Sequence, residues 1–131
     1  MTQIPENTAE GSLTRAERIN IIVQTLLRGF EVCTSLNLYG GGKIMRRTYR
    51  DPKTKKTSSW YETVHLANCQ DTRYTEEVLF LPAYDEVMEA LDQFKAKGWH
   101  AYHDREMDQY KVCKYRYALG EYAGRHTTWL F

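Results

Sequence analysis

The spacing of hydrophobic positions changes period several times along this chain, and each change marks an element. Ile19, Ile22, Val23, Leu26, Leu27 and Phe30 recur at three- and four-residue steps, which predicts a helix with one apolar stripe. Thr14 and Glu17 stand ahead of it as T-x-x-E, so each side chain can satisfy an orphan amide of the first turn. Gly29 supplies a stop. From Phe30 the period falls to two, with Phe30, Val32, Leu36 and Leu38 on the apolar side of a strand. Gly40, Gly41 and Gly42 follow, and alternation resumes from Lys43 to Arg50, which predicts a hairpin because glycine accepts the positive φ such turns need. A polar turn from Asp51 to Thr57 leads to a third alternating run, Trp60 to Leu66. Three sequential strands with short connections predict an antiparallel meander.

The second half repeats the pattern. Asn68–Thr72 is loop-like, and Tyr74–Leu81 reads as a strand ending at Pro82. A helix is predicted from about Ala83 to Lys97, with Tyr84, Val87, Met88, Leu91 and Phe94 on one face and Gly98 as its cap. Trp99–His103 and Tyr110–Leu119 are strands on either side of a charged turn. Gly120 and Gly124 loosen a tail that ends on Trp129, Leu130 and Phe131. Met1–Gly11 is polar and without period, a flexible leader, and residues 12–131 are expected to form one domain. The expected class is α+β: a mostly antiparallel sheet of about five to six strands with two helices on one face, in the order α-β-β-β-β-α-β-β.

The run Ala90-Leu91-Asp92-Gln93-Phe94-Lys95-Ala96-Lys97-Gly98-Trp99-His100-Ala101-Tyr102, with Tyr110-Lys111-Val112 beyond it, resembles the helix–strand–turn–strand half of peptidoglycan-binding SPOR domains. The resemblance implies a domain outside the inner membrane behind an anchor. It is confined to this stretch, and the functional reading below rests on other residues.

A length of 131 residues with 42% apolar residues suits one packed domain rather than a disordered chain. No apolar run is long enough to span a bilayer, and the amino terminus lacks the apolar centre of a secretory signal, so no membrane partner and a cytoplasmic location are expected. Cys33, Cys69 and Cys113 are odd in number and contain no C-x-x-C pair, which suits free thiols in a reducing compartment.

Candidate chemistry is sparse. His65 with Cys69, and His100 with His103, have the wrong spacing for metal ligation from strands: residues four apart are about 13 Å distant, and residues three apart face opposite sides. Neither a metal site nor a cofactor is expected. Cys69 lies in no nucleophile signature, and His126-Thr127-Thr128 is a single H-x-T triplet where two-histidine phosphoesterases use two. Asp85 and Glu86 suit a helix amino terminus, and Asp104, Glu106 and Asp108 a solvated turn. Gly40-Gly41-Gly42-Lys43 precedes a strand, so it offers no helix amino terminus to a nucleotide phosphate. These features lean away from an enzyme.

Charge adds the one signal that points to a ligand. Net charge is +1. Yet Lys43–Lys56 holds Lys43, Arg46, Arg47, Arg50, Lys53, Lys55 and Lys56 against Asp51 alone. Alternation puts Arg46 and Arg50 on one face, and Arg47 and Tyr49 on the other. Guanidinium groups match phosphates and aromatic rings stack on bases. The expectation is a small binding protein for a nucleotide, oligonucleotide or nucleic acid. Arg46, Arg47, Arg50 and Arg116 would contact phosphates, Lys53, Lys55 and Lys56 would steer from the turn, and Tyr49, Trp60, Tyr115 and Tyr117 would stack. The alternative is a protein-interaction module or inhibitor, with the Trp129–Phe131 end docking on the chain itself, on a partner protein, or on a second copy in a homodimer.

Overall fold

The computed structural model describes residues 12–34, 42–64, 73–116 and 126–131. The expectations placed on Met1–Gly11, Leu36, Leu38, Gly40, Gly41, His65, Leu66, Cys69, the 68–72 loop, Tyr117, Gly120 and Gly124 lie outside those residues.

Helix α1 spans Arg15–Leu27 and starts where its capping box dictates: the Glu17 amide donates to Thr14 Oγ1 at 3.1 Å, and the Thr14 amide donates to Glu17 Oε1 at 2.9 Å. The Thr14 backbone bond, then its hydroxyl, hold the Glu17 carboxyl below the usual carboxylate range. The strands follow as β1 (Val32–Cys33), β2 (Ile44–Arg50), β3 (Thr57–Thr63) and β4 (Tyr74–Phe80). Then come α2 (Tyr84–Ala96), β5 (His100–Asp104), β6 (Gln109–Cys113) and β7 (Thr127–Trp129). The α+β class expected from the sequence is the class observed.

The strands divide between two antiparallel sheets, ordered β3-β2-β4 and β1-β6-β5-β7. This corrects the meander: Val32 pairs with Tyr110 across β1–β6 rather than with the Lys43–Arg50 run. Alternation identifies a strand but not its neighbour: β2 is flanked by β3 and β4, and β1 pairs with the edge of β6 instead. The second correction concerns the tail. Thr127–Trp129 forms an edge strand on β5, the Leu130 amide donates to the Ala101 carbonyl, and the Ala101 amide donates to the Phe131 carbonyl. Phe131 packs against the core, so the apolar end docks on its own chain.

One core joins everything. Ile19, Ile22 and Leu26 of α1, Val87, Leu91 and Phe94 of α2, Ile44 and Phe80 of one sheet, and Val32, Ala101 and Tyr110 of the other are all buried together. Because α1 meets both sheets as well as α2, it buries a wider arc than one stripe. Ile21 is therefore buried, whereas Leu27, expected in the stripe, is 47% exposed. Between α1 and α2, Arg18 and Glu86 form a two-pronged ion pair at 2.7 and 3.0 Å.

Tyr102 and Tyr110 are 9% and 5% exposed. Burial first, then neighbouring acidic groups (Cys113, Glu31 and Asp104 for Tyr102, Asp108 for Tyr110), push both phenols from 10.0 to about 12. The unfolded chain thus loses these protons more easily than the native one. The stability they carry is complete below pH about 10 and is lost as pH rises toward about 12. Phenolate absorbance against pH, read beside far-ultraviolet circular dichroism, should show these two groups ionising together with unfolding. Ionisation of Tyr102 and Tyr110 near pH 10 in a still-folded protein would contradict this.

Candidate functional site

The three-stranded sheet positions most of the candidate residues. β2 is central, and antiparallel partners share a face. On one face Arg47 lies between Trp60 of β3 and Glu76 of β4, and Tyr49 lies between Ser58 and Tyr74. On the other, Arg46 lies between Tyr61 and Glu77. The alternation expected for the arginines is therefore the one observed.

The cations themselves differ. Arg47 is nearly buried and bridges two carboxylates, with Nη1 3.1 Å from Glu62 Oε1 and Nη2 2.7 Å from Glu76 Oε1, while its Nε is buried without an acceptor. Its guanidinium also lies 4.8 Å from the centroid of Tyr74. Arg46 pairs with Glu77 at 3.0 Å. A phosphate approaching either arginine must compete with carboxylates held in register by the sheet. Arg50, Lys53, Lys55 and Lys56, by contrast, are exposed and enter no ion pair among the described residues.

The turn holding the lysines is well built. Asp51 Oδ1 accepts from the amides of Lys53 (2.7 Å) and Thr54 (3.3 Å), and Asp51 and Lys56 close the hairpin through their backbones. The acid of this segment is thereby occupied by turn amides. Lys55 takes a positive φ of 64°, which turns the chain back into β3. Just below the tip, Tyr49, Tyr74 and Trp60 form an aromatic row, with centroids 5.6 Å apart for the tyrosines and 5.8 Å for Trp60–Tyr74. Trp60 is oriented by its Nε1, which donates to Glu62 Oε2 at 2.6 Å.

Arg116 and Tyr115 are not part of this group. They follow β6 of the other sheet, where Arg116 lies 4.5 Å above the ring of Trp129, itself packed against Tyr102. Lys114 lies 5.7 Å from the ring of Trp99. The expected site residues thus fall on two sheets, and Tyr117 lies outside the described residues.

Tyr74 was missed from the sequence. Its strand was legible, but its place opposite Tyr49 depends on long-range register. Arg28, whose guanidinium lies 4.7 Å from the Trp60 ring, was missed because α1 and β3 meet only in three dimensions.

The remaining polar clusters have structural partners. His103 Nε2 is 2.7 Å from Asp108 Oδ1, whose other oxygen accepts from Thr34 Oγ1 at 2.9 Å. The His103 ring stacks on Tyr110 at 4.2 Å. His126 Nε2 is 3.2 Å from Glu106 Oε2, and His100 meets the edge of Trp129. Among the described residues neither Cys33 nor Cys113 forms a disulfide, and burial raises the Cys113 thiol above its ordinary pKa. Among the described residues no three His, Cys, Asp or Glu side chains gather as a metal site.

Comparison with known proteins returns no matching family model, curated protein or solved structure. The likeness to SPOR domains over Ala90–Val112 is therefore a shared local order of helix, strand, turn and strand. Among the described residues no helix is long and apolar enough to cross a membrane.

Proposed function

We propose that this chain is a small binding protein for a phosphate-bearing ligand, a single-stranded oligonucleotide, held at the β2–β3 hairpin. The observation that carries the reading is the set of four exposed cations, Arg50, Lys53, Lys55 and Lys56, without an ion pair among the described residues, on one turn whose only acid is engaged by amides. Cations spaced along a turn suit a repeating polyanion better than one compact phosphate group. The row of Tyr49, Tyr74 and Trp60 below the tip supplies ring surface for base stacking, which tolerates any sequence. Arg46 and Arg47 serve chiefly to hold the sheet together.

Fluorescence anisotropy with a labelled oligothymidylate tests this. Four phosphate contacts on a single strand give a log–log salt slope near −3, or roughly fifty-fold weaker binding across a fourfold rise in salt. Replacing Lys53 and Lys56 with Gln, and Lys55 with Asn (which tolerates its positive φ), should reduce the slope to about one contact's worth at unchanged thermal stability. Absent binding, or binding indifferent to salt and to the triple variant, would overturn the reading.

A further inference from the structure

The outer edge of β3 is the place on this molecule where a strand is built and left open. Asp51 and Lys56 form a backbone-bonded pair, with the Asp51 amide donating to the Lys56 carbonyl at 2.9 Å, and the register runs unbroken to Ile44 and Thr63. Bonded pairs in an antiparallel ladder recur every second residue, so Ser58, Trp60 and Glu62 spend their backbone groups on β2. Thr57, Ser59 and Tyr61 then aim their N–H and C=O groups away from the sheet. Among the described residues no strand lies beyond them.

Exposed edges are normally blunted by lysine, proline or a bulge. The opposite edge, β4, carries a register shift against β2 and two glutamates, Glu76 and Glu77. The sequence of β3, TSSWYET, has none of these guards, and its one charge, Glu62, is turned inward onto Arg47 and the Trp60 indole. Alongside Ser59 and Tyr61 lies a cleft of about 330 Å³, lined also by Trp60 and, from α1, by Gln24, Leu27 and Arg28. Leu27 offers apolar surface there. Arg28 rests its guanidinium on the Trp60 ring and, among the described residues, makes no ion pair or side-chain hydrogen bond.

We propose that this edge and cleft form a docking site for an extended acidic segment of a partner protein, which adds to β3 as a new strand. Its backbone pairs with Ser59 and Tyr61, one side chain covers Leu27 in the cleft, and a carboxylate takes the bidentate donors of Arg28. A peptide supplies all three complements at once, and the unpaired cation selects an acidic one. The site shares Trp60 with the aromatic row but none of the cations of the hairpin tip, Arg50, Lys53, Lys55 and Lys56.

Selection from a random-octapeptide phage library on the immobilised full chain tests the proposal, with backbone amide shifts locating the bound peptide. The expected peptides carry Asp or Glu among alternating β-branched residues, and they shift the amides of Ser59 and Tyr61. On the Arg28→Glu variant, which alters an exposed side chain, selection should switch to Lys- and Arg-bearing peptides. The hairpin triple variant, which loses oligonucleotide binding, should keep the acidic peptides. No enriched peptide, an unchanged consensus on Arg28→Glu, or shifts confined to other elements would overturn the site. Self-association that Ser59→Pro abolishes, in a chain that enriches no peptide, would replace the proposed occupant with a second copy.

Discussion

Glu86→Ala is expected to destabilise the protein by about 3–5 kcal/mol, the range for stripping one partner from a buried ion pair. For a chain of 131 residues this is a fall in Tm of roughly 10–15 °C. Glu86 serves three elements at once. Its carboxylate takes two bonds from Arg18 of α1, and Oε1 also accepts the Ala83 amide at 2.9 Å, which caps α2 in place of a side-chain cap. Arg18 in turn lies over the ring of Phe80 at 4.6 Å and reaches the Leu81 carbonyl. The side chains of Arg18 and Glu86 are only 20% and 8% exposed, so solvent cannot replace the lost carboxylate well. Removing both charges should cost much less than removing one, because the double variant leaves no buried orphan. Thermal melts of Glu86→Ala and of Arg18→Met/Glu86→Leu decide the matter. A double variant no more stable than the single one would mean that the pair's worth lies in the α2 cap.

The same residue shows where sequence reading stops. Glu86 was legible as an acidic residue in the first turn of a helix, which the macrodipole explains. Its partner stands 68 positions earlier, and nothing in periodicity connects the two. Local signals did well where the physics is local. The Thr14–Glu17 box, the end of α1 near Gly29 and the turn around Asp51 all came from neighbours in sequence. Pairing did worse. The period of two assigned Val32 to a strand, but its neighbour is Tyr110, and Thr127–Trp129 is too short for alternation to show.

The candidate site divides along the same line. That Arg46 and Arg47 face opposite ways follows from alternation and could be read directly. That Glu76 and Glu77 stand opposite them, with Glu62 diagonal to Arg47, follows from register, and this makes the two arginines cross-strand braces. The lysines escape because the one acid of their turn, Asp51, opposite Lys56 across the hairpin, is engaged by the amides of Lys53 and Thr54. Segregated charge in a sequence is thus a guide to ligands only after cross-strand neutralisation has been subtracted, and here the subtraction moves the proposed site from the sheet face to its tip.

Gly42→Ala is expected to cost about 4 kcal/mol, from two sources that can be separated. The residue sits at φ 104°, where any Cβ is strained by about 1–3 kcal/mol. A Cβ built there would also lie 2.3 Å from the Cys33 Cβ, so β1 or β2 must shift, an overpacking cost of about 1–3 kcal/mol. The contact matters because this is where the two sheets touch: Cys33 is buried at the edge of one, and the Gly42 amide donates to the Val64 carbonyl at the start of the other. A double-mutant cycle with Cys33→Gly, followed by urea unfolding, distinguishes the sources. The steric share should vanish in the double variant, giving a coupling of about 1–2 kcal/mol, while the backbone share remains. Additive losses would mean that φ alone demands the glycine. Coupled losses would give the last of the three glycines a role that turn chemistry does not cover, the close approach of one sheet to the other. The hairpin tip that carries the proposed ligand site would then owe its placement on the core to an absent methyl group.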